Sequence, residues 1–134
     1  MDLPVLAAQP TTRDFAAPAD SSRAQRTPSI GDPLWWRSAV IYQIYIRSFA
    51  DGDGDGIGDI AGVRAHLGYL RDLGVDAIWF TPWYPSPLSD AGYDVADFRA
   101  IAPRFGTLAD ADALIGQARQ HGIRTIIDLV PNHC

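Results

Sequence analysis

Asp51-Gly-Asp-Gly-Asp-Gly-Ile-Gly-Asp59 places four carboxylates within nine residues, at relative positions one, three, five and nine, with Ile57 at seven. The side chains of Asp51, Asp53, Asp55 and Asp59, together with the carbonyl of Ile57, can turn oxygens toward one centre, and the glycines between them permit the tight backbone path. Without a cation, carboxylates this close repel one another. The chemistry predicted is binding of a hard divalent ion, and a flexible all-protein oxygen cage suits Ca²⁺ better than Mg²⁺. The spacing begins like a helix-loop-helix calcium loop, but position twelve is Gly62 where that motif requires a bidentate Glu. This is therefore a calcium loop of another kind.

A second polar set is formed by Asp90, Tyr93 and Asp94, and a third by Asp128, Asn132 and His133. Each set follows a short apolar run, so the elements that carry the runs decide whether the sets meet. Residues 39–49 are β-branched and aromatic, which predicts one buried strand emptying into the acidic loop. Asp59 then N-caps a helix whose inward face is Ile60, Val63, Leu67 and Leu70, with Gly74 as its C-terminal cap. A second strand at 77–81 is stopped by Pro82, which cannot donate to a sheet ladder.

A loop of about 25 residues follows, long enough to be functional or disordered, and its aromatics and prolines favour an ordered functional loop. Thr107 and Asp110 form a capping-box start for a helix with the stripe Leu108, Ala111, Leu114, Ile115 and Ala118, ended by Gly122. The third strand is predicted at 125–130. Strands alternating with helices require a parallel sheet with right-handed crossovers, so the fold class is α/β. All three polar sets follow strand C-termini, where barrel enzymes build their sites, although doubly wound sheets bind ligands at the same end. A dinucleotide reading fails because the loop after the first strand is rich in carboxylates and repels phosphate.

A net charge of -5 argues against broad binding to nucleic acid or acidic lipid, both of which need a basic surface. One cysteine, Cys134, allows no intrachain disulfide and no thiolate cage, so a reducing, cytoplasmic setting is expected. No apolar run is long enough for a membrane span, and no secretory h-region opens the chain. Residues 1–33 lack any sustained period and read as a disordered leader. Trp35 and Trp36 read as packing residues, and His66 and His121 as surface residues with no metal-ligand spacing.

The run Trp35-Trp-Arg-Ser-Ala-Val-Ile-Tyr-Gln-Ile-Tyr-Ile-Arg-Ser-Phe49, the acidic loop, Gly92-Tyr-Asp94, Phe105-Gly-Thr107 and Asp128-Leu-Val-Pro-Asn-His133 together closely resemble glycoside hydrolase family 13, the α-amylase family, nearest its α-glucosidase and oligo-1,6-glucosidase branch. The resemblance covers residues 34–134. It implies that these form the N-terminal portion, about three strands and two helices, of a (β/α)8 TIM barrel, truncated before the family's Asp nucleophile, Glu general acid and third stabilising Asp. Those follow the fourth, fifth and seventh strands, so no catalytic residue is expected in this chain and the fragment alone is expected to be inactive.

By likeness, Asp90 and Tyr93 grip and stack on the terminal glucosyl ring of an oligosaccharide, and His133 donates to its primary hydroxyl. Asp94, Asp128 and Asn132 hold those groups in place. Asp90 and Asp94 do not read as a catalytic pair, since nothing in one polar loop suggests two carboxyls flanking a scissile bond with one pKa raised. The acidic loop resembles the branch's structural Ca²⁺ site. The implied activity is retaining hydrolysis of α-glucosidic bonds in short oligosaccharides by a protein that is monomeric when full length. Trehalose synthases and related isomerases or glucosyltransferases share the opening motifs. Non-catalytic relatives such as amino-acid transporter heavy chains carry a membrane span ahead of the barrel, which does not appear here.

Overall fold

The computed structural model describes residues 33–132. The expected leader at 1–33 lies outside them except for Pro33, as do His133 and Cys134. A 3-10 turn at Trp35–Arg37 leads into strand β1 (Ile41–Ile44), and a short helix α1 (Ile46–Phe49) leads into the acidic loop. Helices α2 (Ile60–Ala65) and α3 (Leu67–Leu73) return the chain to strand β2 (Ala77–Phe80). Helix α4 (Leu108–Gln120) then precedes strand β3 (Arg124–Ile127). The strands lie in the order β1-β2-β3, all parallel, with Ile44 beside Phe80 and Phe80 beside Ile127. That register brings the three strand C-termini to one edge of the sheet, which is what any shared site needs. Among the described residues no helix is long and apolar enough to cross a membrane.

Local signals for the helix ends act as read. The Asp59 side chain accepts from Gly62 N at 2.6 Å to cap α2, Gly74 ends α3 at φ 82°, and Thr107 and Asp110 form a reciprocal capping box at α4. The strands are shorter than their apolar runs. β1 stops at Ile44 and not at Phe49, and β3 stops at Ile127 and not at Val130. The cause is the partner between them: β2 ends before Pro82, so neither neighbour has a rung to pair with beyond Thr81 N to Ile44 O and Asp128 N to Phe80 O.

The single helix expected after Asp59 is two. His66 N bonds the Val63 carbonyl, three residues back, while its ring Nδ1 lies 2.8 Å from Gly62 O and takes the place of the regular backbone donor. Two packing expectations also change. Leu108, at the first position of α4, is exposed, and Trp36 is exposed with the Arg37 guanidinium 5.6 Å from its ring. Trp35 is half-buried and carries the Arg124 guanidinium 4.3 Å from its ring centre, a cation-π contact joining the 3-10 turn to β3.

Ile60, Val63, Leu67 and Leu70 from α2 and α3, Ile44, Ile78 and Phe80 from the sheet, and Ala111, Leu114 and Ala118 from α4 form one core. Gly62 lets α2 enter it. A Cβ there would lie 2.0 Å from Ala50 O, a backbone atom that cannot swing aside. The same contact explains why position twelve of the acidic loop holds no glutamate. Gly62→Ala is expected to destabilise the full-length protein by roughly 3 kcal/mol, the upper range of overpacking costs, read as a lowered urea midpoint with an unchanged m-value.

Candidate functional site

Asp128 is the joint of the site. It follows β3 directly, two residues after Ile126, the register partner of Trp79, so it lies on the same face of the sheet as that tryptophan. Trp79 Nε1 donates to Asp128 Oδ1 at 2.7 Å and Tyr93 Oη donates to Oδ2 at 2.8 Å. One carboxylate thus ties β2, β3 and the loop after β2 together, and both bonds to the charged acceptor are of the stronger class. The bond to Asp128, then burial, then the charges of Asp128 and Asp90 push the Tyr93 hydroxyl up to about 12.

The sign of this shift follows from the protonated phenol being the bonded form. Its folded pKa is raised above the unfolded value of about 10, so the stabilisation is complete below pH 10 and is lost as pH rises through about 12. Absorbance titration at 295 nm is expected to show a late-ionising tyrosine that disappears in Tyr93→Phe, and alkaline destabilisation between pH 10 and 12 is expected to shrink in that variant.

Residues 81–107 form neither helix nor strand, yet they are packed by their own aromatics. Trp83 stacks on Phe80 with ring centres 5.1 Å apart and is buried, and Tyr84 meets Phe98 edge-on at 5.3 Å. Burial, and then the charge of Asp128, raise the Tyr84 pKa. Asp94 accepts from Ser86 Oγ at 2.5 Å and from Ser89 N at 2.8 Å, and these bonds hold its carboxyl below the usual range. Asp90 is exposed. Its carbonyl accepts from Tyr93 N at 2.8 Å, and among the described residues no hydrogen bond reaches its carboxylate. Asn132 is exposed at the end of the described chain, and His133 lies outside it.

The acidic loop is closed at its neck by Gly58 N to Arg47 O and Asp59 N to Ala50 O, at 2.7 and 3.0 Å. Gly54 and Gly56 both adopt φ 87°, and their amides donate to Asp51 at 2.6 and 2.8 Å, which depresses the Asp51 pKa. Carboxylate oxygens of Asp51, Asp53 and Asp59 all lie within 4.8 Å of one another. Two oxygens bound to one calcium at about 2.4 Å are separated by no more than about 4.8 Å, so the spacing of these three is compatible with that ion. Asp55 stands apart from the trio, with its Oδ1 accepting from Ile57 N at 2.7 Å.

Residues 43–134 match the family described as alpha amylase, catalytic domain. The chain belongs to the alpha-amylase family. Its parallel strands and crossover helices are part of the (β/α)8 barrel of that family's catalytic domain. It is 50% identical over 124 residues to maltase 1 of Drosophila virilis, a match spanning 92% of this chain and 20% of the relative. It is 58% identical over 101 residues to trehalose-6-phosphate hydrolase of Escherichia coli strain K12, spanning 75% of this chain and 18% of that protein. Among solved structures, a trehalulose synthase variant aligns with a TM-score of 0.72 at 48% identity, covering 75% of this chain and 18% of the synthase. The chain thus spans about a fifth of the length of the curated relatives it matches.

For this alpha-amylase family chain, two residues of the site escaped sequence reasoning. Trp79 read only as an apolar strand residue, although a half-buried indole N–H favours an acceptor. Ser86 read only as loop, and its two partners, Asp94 and Leu88 N, emerge only from the folded backbone.

Proposed function

We propose that this chain is the sugar-gripping part of a retaining α-glucosidase that acts on α-glucosidic bonds of short oligosaccharides. The Asp128 bridge carries the reading. It holds Tyr93 by its hydroxyl at the C-terminal edge of the sheet, which leaves the ring available to stack on the apolar face of a glucosyl unit. Asp90, exposed beside it, supplies acceptors for sugar hydroxyls, and His133 is the expected third contact. Asp94 shapes the loop, and Asn132 supports His133. Similarity to a maltase and to a trehalose-6-phosphate hydrolase supports the substrate class.

In this proposal Asp51, Asp53 and Asp59 hold a Ca²⁺ ion, with Asp55 and the Ile57 carbonyl as further donors. The ion supplies charge neutralisation and a fixed loop, with no part in bond cleavage. The nucleophile and general acid come from strands beyond this chain, so residues 1–134 alone are inactive.

Likeness to a trehalulose synthase favours a second reading in which a sugar hydroxyl, and not water, attacks the glucosyl intermediate. Product analysis on the full-length protein separates them. Maltose converted to glucose alone supports hydrolysis, an isomeric disaccharide supports the second reading, and no turnover of any α-glucoside overturns both.

A further inference from the structure

We infer that Ser86 is a positioning residue for sugar binding, acting through the backbone on either side of Asp90; this rests on the glucosidase reading above. Nothing among the described residues bonds the exposed Asp90 carboxylate, so the position from which it reaches out is set by the backbone that carries it. That backbone is unusual. Leu88 has φ 63° and Ala91 has φ 53°, two side-chain-bearing residues in the left-handed region that disfavours them, and Gly92 follows at φ 104°. Such a path persists only where surrounding bonds over-determine it.

Here the bonds converge on one hydroxyl. Ser86 Oγ accepts from Leu88 N at 2.8 Å and donates to Asp94 Oδ1, while the other Asp94 oxygen takes Ser89 N at 2.8 Å. Two consecutive amides, those that flank the left-handed Leu88, are therefore held by the Ser86 and Asp94 pair. Tyr93 N to Asp90 O then closes the turn onto the ring anchored by Asp128. Removing the Ser86 hydroxyl frees Leu88 to return to negative φ and swings Asp90 away from Tyr93.

The test uses the full-length protein with a nitrophenyl α-glucoside. Ser86→Ala is expected to lower kcat/KM about ten-fold, equivalent to one step of 1.4 kcal/mol, and Ser86→Thr to restore most of it. Adding Leu88→Gly to Ser86→Ala is expected to recover much of the loss, because glycine holds a left-handed φ without the clamp; a role in packing alone predicts a further fall. Wild-type kcat/KM in Ser86→Ala, or no recovery in the double variant, overturns the inference, provided that Asp90→Ala is strongly impaired. If Asp90→Ala retains full activity, the sugar-site reading itself fails. Should Ser86→Ala not fold, Asp94→Asn weakens the same clamp, and its rescue or non-rescue by Leu88→Gly is judged by the same criterion.

Discussion

Asp128→Ala in the full-length protein is expected to lower kcat/KM for a nitrophenyl α-glucoside by about 100-fold or more. The variant removes the acceptor of two donors at once, Trp79 Nε1 and Tyr93 Oη. Both donors are half-buried, so leaving each unmatched costs about 1–1.5 kcal/mol, the lower part of the range for buried groups, and each 1.4 kcal/mol is a factor of ten. The loss divides between stability and function, because the same carboxylate joins two strands and anchors the ring that meets the sugar. Asp128→Asn keeps one acceptor oxygen and is expected to fall between alanine and wild type, with the Tyr93 hydroxyl returning toward its ordinary pKa. Wild-type activity in Asp128→Ala would show that Tyr93 needs no anchor.

Asp59→Ala carries the second large effect, this one on stability. Its carboxylate caps α2 through Gly62 N, takes Gly52 N at 3.2 Å and contributes to the trio with Asp51 and Asp53. Loss of the cap alone costs about 1 kcal/mol. If the trio holds calcium, linkage adds about 2.7 kcal/mol when free ion is 100 times its Kd. A chelator is therefore expected to lower the melting temperature of the wild type and to leave Asp59→Ala, already lower, unchanged. Asp55→Ala, which alters an exposed residue apart from the trio, is expected to have the smaller effect. A wild-type midpoint indifferent to chelator rules out the calcium assignment.

What the sequence makes legible is local chemistry. The Asp59 cap, the Thr107 and Asp110 capping box and the left-handed Gly74 each depend on residues within one turn of each other, so spacing alone reveals them. The order of strands and helices follows from alternating runs and requires the parallel sheet. Strand ends are not legible in the same way: Tyr45, Ile46 and Phe49 are good strand formers, yet they leave the sheet because Pro82 shortens the neighbour that they would pair with. Residue type offered candidates at Asp90, Tyr93 and Asp128, but not the bond that joins the last two across 35 positions, since that bond exists only in the register that sets Trp79 beside Ile126. Leu88 and Ala91 mark the opposite limit. Neither residue type suggests a left-handed backbone; the bonds of Ser86 and Asp94 account for it at Leu88, and the turn closed by Tyr93 N to Asp90 O encloses it at Ala91.

Whether Asp90, Tyr93 and His133 share one sugar is decided by a crystal structure of the full-length protein soaked with maltose. The terminal glucosyl ring is expected to lie on the face of Tyr93, with Asp90 and His133 both within hydrogen-bond distance of its hydroxyls and Asp128 still bridging Trp79 and Tyr93. Sugar bound away from Tyr93, or Asp90 and His133 facing opposite sides of the molecule, would contradict it.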